Sequence, residues 1–293
     1  MRGERGQSLM ELLIAMTVFL LILGATLDVF ASSQTLNTQA NARNDAQDQA
    51  RVALDTLSRQ LRNLASPTPE QPQAVDKATA YDLVFQTVDA VGPNTGLNAA
   101  NVERVRYCLG GTASAGVLYR QEQRWTTQAA PAAPGTAACP STDGQWSVTR
   151  RMAAAITNVN NGLNRPLFTF DSAVPTDVSS VHVQLYVDLD PLHPPAETNI
   201  SSGVYLRNQN RRPVASFTAD PSTPGKIVLN GSASADPEGE PLTYVWYDGT
   251  SKVGDGIRYD YAVSRNSSHT LLLKVYDPAG LEGDSAPQTV TAP

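Results

Sequence analysis

Three groups of residues in this chain have types and spacings that can do chemistry. The first is one carboxylate, Glu11, at the start of an apolar run from Leu12 to Leu27, with Arg2, Arg5 and the stretch Gly6-Gln7-Ser8 before it. An acidic or basic side chain near the centre of a bilayer-spanning helix costs about 2.5–3.5 kcal/mol, so Glu11 calls for a partner, and the segment holds nothing basic nearby. The second group is Cys108 and Cys139, both beyond the apolar run. In an exported chain they would close a loop of about 30 residues, worth roughly 3–4 kcal/mol as a disulfide; otherwise they remain two thiols. The third is Asp236, Glu238 and Glu240, which alternate as oxygen ligands can around calcium. Turn geometry alone explains Asp236-Pro237 and Gly239, so a plain turn is the expectation.

Other chemistry is not indicated. His182, His193 and His269 have no Cys, His or carboxylate at ligand spacing in the sequence, and read as surface histidines. No Gly-x-Ser-x-Gly elbow and no phosphate-binding glycine loop occurs, so the expectation is a non-enzymatic chain without a cofactor or metal. The net charge is −6 and neither sign clusters: 9 basic stand against 12 acidic residues over 66–208, and 7 against 10 over 209–293. A DNA partner would need a basic patch, and the linear sequence has none.

The elements that must position these residues follow from periodicity. Between Ser32 and Leu64 there is no Gly or Pro, and Ala46, Ala50, Ala53, Leu57, Leu61 and Leu64 recur three or four apart, with Leu54 beside them. This is an amphipathic helix continuous with the apolar run, ending at Ser66-Pro67-Thr68-Pro69. From Ser8 to Leu64 it would be about 57 residues, or roughly 85 Å. Residues 67–80 read as a connecting loop. Strands are expected at 81–88, 102–109, 116–123, 146–150, 167–170 and 178–189, the last with Val181, Val183, Leu185 and Val187 on a buried face. Leu242, Tyr244 and Trp246 share one strand face and Leu271, Leu273 and Val275 another, which gives a sandwich core around Trp246.

The N-terminal residues Arg2 to Glu11 with the apolar run resemble the type IV prepilin signal. The resemblance implies that a prepilin peptidase cuts after Gly6 on the cytoplasmic side and methylates Gln7, although pilins mostly have Phe at that position. It also implies that Glu11 pairs with the free α-amino group of a neighbouring subunit. Two other readings of the N-terminus are a secretory signal cut after Val29-Phe30-Ala31, before Ser32, and an ordinary anchor. The run Arg51 to Arg62 and the closing strand Thr198 to Asn208 resemble J-type pseudopilins and W-type minor pilins. Residues 213–219, 227–246 and 271–281 resemble a PKD domain, an immunoglobulin-like sandwich.

The fold expected is therefore α+β: a pilin-like long N-terminal helix packed on an antiparallel β-sheet head, followed by an all-β immunoglobulin-like (PKD) sandwich. Its parts would be a leader at 1–6, the helix at 7–65 with its first half transmembrane, a head at 66–208 and the sandwich at 209–293. The function expected is a filament subunit of a type IV pilus or type II secretion-like pseudopilus, at the tip, initiating assembly or presenting an adhesive surface. Its partners would be prepilin peptidase, other pilin subunits, the membrane through residues 12–27 and an extracellular glycan or protein. Arg2 and Arg5 would keep the N-terminus inside and the rest outside, in the cytoplasmic membrane and then on a pilus. The alternative is an anchored or secreted glycan- or protein-binding protein with no filament role. Glu11 separates the two, because a simple anchor has no use for it.

Overall fold

The computed structural model describes residues 9–65, 72–89, 102–112, 115–125, 130–160, 162–191, 194 and 197–293. One long helix is followed by strands in antiparallel sheets, an α+β architecture. The helix α1 is Leu9–Arg62. The strands are β1 Val75–Thr79, β2 Asp82–Val88, β3 Val102–Thr112, β4 Ala115–Arg124, β5 Val148–Ile156, β6 Val159–Asn160, β7 Leu163–Asn164, β8 Phe168–Phe170, β9 Ser180–Val187 and β10 Thr198–Tyr205. Then come β11 Thr218–Asp220, β12 Lys226–Asn230, β13 Thr243–Asp248, β14 Ser251–Asp255, β15 Arg258–Ala262, β16 Ser268–Tyr276, β17 Glu282–Asp284 and β18 Gln288–Thr291.

The 54 residues of α1 span roughly 81 Å at 1.5 Å per residue. Its two halves differ as the stripe requires. Leu9 to Phe30 are exposed, whereas Ala50, Ala53, Leu57 and Leu61 are fully buried. They pack with Phe85, Tyr107, Leu118, Ile156, Val183 and Leu185 of the first sheet in one core. The helix stops at Arg62, two residues before the end of the stripe. Asn63 N–H still donates to the Arg59 and Gln60 carbonyls, but Leu64 has left the helix to bridge Thr87, and Asn208 caps the Leu64 carbonyl at 3.2 Å.

The first sheet has the order β1-β2-β3-β4-β5-β9-β10, with β8 also on β9. The alternation in β9 holds: Val181, Val183, Leu185 and Val187 are buried, and His182 is exposed. On β3 and β4 the other face of the sheet is polar yet covered. Arg104 Nε meets Asp76 at 2.7 Å and Arg106 Nε meets Asp82 at 2.8 Å, both guanidinium groups buried. Their remaining N–H groups reach the Pro131 and Thr136 carbonyls, while Gln123 and Gln121 donate to the Ala132 and Ser141 carbonyls. A segment without regular structure thus finds its backbone partners in side chains.

Two expectations are corrected here. Residues 75–79, read as loop, form β1 against β2: Asp76 turns to Arg104 of β3, and its neighbour Lys77 reaches Asp82 of β2 across the hairpin at 2.5 Å. The strand expected at 146–150 is β5, which starts at Val148 and runs on to Ile156 through register shifts on both sides of Leu118, with Ala155 at positive φ (57°).

The second β region is a two-sheet sandwich. The sheet β11-β12-β15 faces the sheet β14-β13-β16-β17, to which β18 adds on β16. Phe217, Ile227 and Leu229 from one meet Trp246, Leu271, Leu273 and Val275 from the other. Trp246 is fully buried, its ring edge-on to Phe217 at 5.3 Å and its indole N–H on the Gly256 carbonyl at 2.8 Å. Gly254 leaves room for the Tyr259 ring, which a Cβ there would strike.

Candidate assembly surface

The first half of α1 is apolar on every side, and 0% of its most apolar window is buried within the chain. It is long and apolar enough to cross a membrane once. The hydroxyls within it are satisfied locally: Thr17 donates to the Ile14 carbonyl at 2.9 Å and Thr26 to the Leu23 carbonyl at 2.8 Å. The surface offered outward is therefore nearly all hydrocarbon, and its two carboxylates are Glu11, in the first turn, and Asp28, at the far end. Such a surface has two uses, contact with lipid or contact with other apolar helices. Gly6 and Gln7 lie outside the described residues.

Cys108 and Cys139 are joined as a disulfide with Cα atoms 5.9 Å apart. The bond fastens the segment beyond Pro131 to β3, above the buried arginines.

Beside the second half of α1 an open cleft of about 420 Å³ is lined by Arg59, Gln60, Glu103, Arg120, Glu122 and Arg150, among others. Arg120 Nη2 lies 3.2 Å from Glu103 and 2.9 Å from Glu122; Arg124 joins both carboxylates and reaches Asp89 at 3.4 Å. The approach of Arg124 to Glu122 Oε2, 2.9 Å, is an ion pair without hydrogen-bond alignment. Burial, and then the neighbouring Glu122 carboxylate, push the Glu103 carboxyl above its usual range. The two arginines and three carboxylates pair with one another, as the members of a structural network do.

In the sandwich the three acidic candidates act as a turn. Asp236 Oδ1 accepts the N–H of Glu238 at 2.8 Å and of Glu240 at 3.1 Å, and Gly239 takes the positive φ (79°) that the turn demands. Glu238 receives Arg211 Nε at 2.6 Å and the Arg211 N–H at 3.1 Å. Among the described residues no group of three or more His, Cys, Asp or Glu side chains is arranged to hold a metal.

The reading of His269 as a plain surface histidine is corrected. Its Nδ1 lies 2.6 Å from Asp248 Oδ2 and its Nε2 lies 2.7 Å from Ser267 Oγ. Asp248 also accepts from Tyr261 Oη at 3.1 Å and from the Thr270 N–H at 3.0 Å. The sequence carries no signal for this meeting, because residues 248 and 269 come together only through the β13–β16 register, Asp248 opposite Leu271. The order Ser-His-Asp has the outline of a nucleophilic triad, but Ser267 Oγ donates to the Ser264 carbonyl at 2.5 Å. That proton lies on a backbone carbonyl and not on the imidazole, where a primed nucleophile would place it. The cluster ties the 264–267 turn to the end of β13.

A family model described as the prokaryotic N-terminal methylation motif matches residues 1–27. The chain begins with a type IV pilin signal. The match covers Glu11 and the apolar run, the part of α1 that is bare within the chain. No curated protein matches the chain. Among solved structures, the PKD1 domain of Vibrio anguillarum Epp is similar at 23% identity, covering 28% of this chain and 95% of that one, with a TM-score of 0.26. The FN1–FN3 domains of chicken CNTN1 are similar at 8% identity, covering 78% of this chain and 99% of that one, with a TM-score of 0.22.

Proposed function

We propose that the chain is a non-enzymatic minor pilin or pseudopilin of a type IV pilus or type II secretion-like filament. The observation that carries this reading is the division of α1: behind a pilin signal, an entirely uncovered apolar half joins a half whose stripe is fully buried under a sheet. A prepilin peptidase removes residues 1–6 by cutting after Gly6, and Gln7 becomes the methylated N-terminus. The protein waits in the cytoplasmic membrane with its N-terminus inside. On assembly the apolar half exchanges lipid for other pilin helices, and Glu11 receives the α-amino group of the neighbour. Residues 66–208 form the head and 209–293 an outer sandwich. Two β bodies on one helix are bulky to repeat along a thin fibre, which favours a place at the tip, where the sandwich can initiate assembly or meet a glycan or protein.

The test is Glu11→Ala in the native host. Loss of the protein from sheared filaments, with membrane levels unchanged, is expected. Incorporation at the wild-type level would return the chain to the reading of an anchored binding protein.

A further inference from the structure

Edge strands are a hazard that proteins manage with charge, proline, bulges or brevity. This chain does so at most of its edges. β1 carries Asp76 and Lys77 and has a bulge between Val75 and Lys77. β14 carries Lys252 and Asp255 with a bulge at its pairing to β13, and β15 carries Arg258 and Asp260. β11 and β17 have three residues each and β18 four. β10 differs. Its eight residues, Thr-Asn-Ile-Ser-Ser-Gly-Val-Tyr, contain no charge and no proline, and its register with β9 is unbroken from Thr198 to Tyr205.

The free side of β10 can be assigned residue by residue. Across β9, Gln184 N–H donates to the Leu167 carbonyl at 2.9 Å and the Tyr186 carbonyl accepts from Thr157 N–H at 2.8 Å, so residues 184 and 186 turn their backbone groups away from β10. Their partners Ser201 and Asn199 are therefore the wide pairs of the ladder and turn away from β9, as do Gly203 and Tyr205 by the same alternation. Leu206 N–H, bonded back to the Ser179 carbonyl at 2.8 Å, fits this phase. Among the described residues none of these four outward backbone positions has a hydrogen-bond partner, and all four residues are exposed.

We propose that an extended, uncharged segment of a different pilin-type chain adds to β10 as a further strand, an inference that rests on the assembly reading above. A row of N–H and C=O groups about 7 Å apart is matched by another extended backbone and by little else. A second copy fits poorly. Pairing two β10 strands antiparallel needs a two-fold axis normal to the sheet, which would point the two α1 helices in opposite directions through one membrane. Pairing them parallel would set the helices on opposite faces of the joined sheet, leaving both apolar halves uncovered. The incoming segment would present apolar side chains on the α1 side, next to Ile200 and Val204. At the Thr198 end of the strand a cleft of about 220 Å³, lined by Ala46, Val187 and Leu189 with Arg43, Gln47 and Asp188 around them, has room for one more side chain.

The test compares Ser201→Pro, Gly203→Lys and Glu11→Ala in the native host, with a photo-crosslinking phenylalanine in place of Asn199. Ser201→Pro removes an outward N–H without touching the β9 ladder. Its fold is checked by the melting temperature of the full-length protein in detergent, and Gly203→Lys decides if that temperature falls. The expected result is at least a tenfold loss from the filament fraction for the edge variants. The cross-link should join residue 199 to a peptide of another pilin-type subunit and vanish in Ser201→Pro. Normal incorporation of both edge variants while Glu11→Ala is lost would overturn the edge and leave the assembly reading intact, as would a cross-link to a second copy or to nothing. Normal incorporation of Glu11→Ala would remove the assembly reading itself.

Discussion

The amide nitrogen of Asn210 bonds Asp277 Oδ2 at 2.6 Å in the sandwich and the Pro72 carbonyl at 3.3 Å beside the first sheet, with both Asn210 and Asp277 buried. Neighbouring residues repeat the pattern. Gln209 donates to the Pro175 and Thr176 carbonyls, Arg211 holds Glu238, and Arg212 reaches Thr176. The connection between the two β regions is stitched on both sides. Asn210→Ala leaves Asp277 Oδ2 without this donor, and a loss of about 1–3 kcal/mol is expected. Denaturant titration of the full-length protein measures it; a change within error would mean that water replaces the amide.

The two faces of α1 give a sharper contrast. Leu57 is fully buried and Val52 is 61% exposed on the same helix. Leu57→Ala should cost about 2–5 kcal/mol through lost burial and the cavity left behind, and Val52→Ala should fall within about 0.5 kcal/mol of wild type. Equal effects at the two positions would mean that the stripe does not face the sheet.

The disulfide closes 31 residues of chain. Replacing both Cys108 and Cys139 with serine should lower stability by about 3–4 kcal/mol on the loop-entropy estimate. A thermal melt of the double variant beside wild type tests it, and a difference under about 1 kcal/mol would contradict the estimate.

Acid should loosen the sandwich. Burial works to raise the Asp248 carboxyl, but hydrogen bonds from His269, Tyr261 and the Thr270 N–H outweigh it and hold it below the usual range. Glu282 is lowered by Lys274 and then by Tyr276. Both carboxyls bind protons less well folded than unfolded. Their stabilisation is therefore present above about pH 4 and lost as the pH falls through the lower folded values. Glu103 in the first sheet works the other way, because its raised carboxyl takes up a proton more readily when folded. Denaturation from about pH 5 to pH 2, followed by fluorescence of a Trp125→Phe, Trp146→Phe background that keeps Trp246, should show the decline, and Asp248→Asn should flatten it.

What the sequence made legible was periodicity. The stripe from Ala46 to Leu61, the alternation in β9 and the two strand faces of Trp246 and of Leu271 to Val275 were readable, because burial of one face forces a period on the chain. Those two faces share one sheet, however, and the opposing face of Phe217, Ile227 and Leu229 was not read. What stayed hidden depends on register and on charge inside the fold. β1 offers Asp76 and Lys77 where a strand is expected to be apolar, and its reason to exist, Arg104 and Asp82, lies elsewhere in the chain. The strands β14 and β15, SKVGD and RYDYA, look like loop until Gly254 is seen beneath the Tyr259 ring. The meeting of Asp248 with His269 is of the same kind. At the candidate assembly surface, Glu11 stood out because a carboxylate in an apolar run has a physical cost. The bare edge of β10 could not be read, because only the strand order shows which edge is left over.

The most direct measurement is the intact mass, with N-terminal peptide mapping, of the protein purified from membranes of its own host. The account predicts a chain that begins at Gln7 and carries one added methyl group on its amine. A chain that keeps Met1, or one that begins at Ser32, would contradict it.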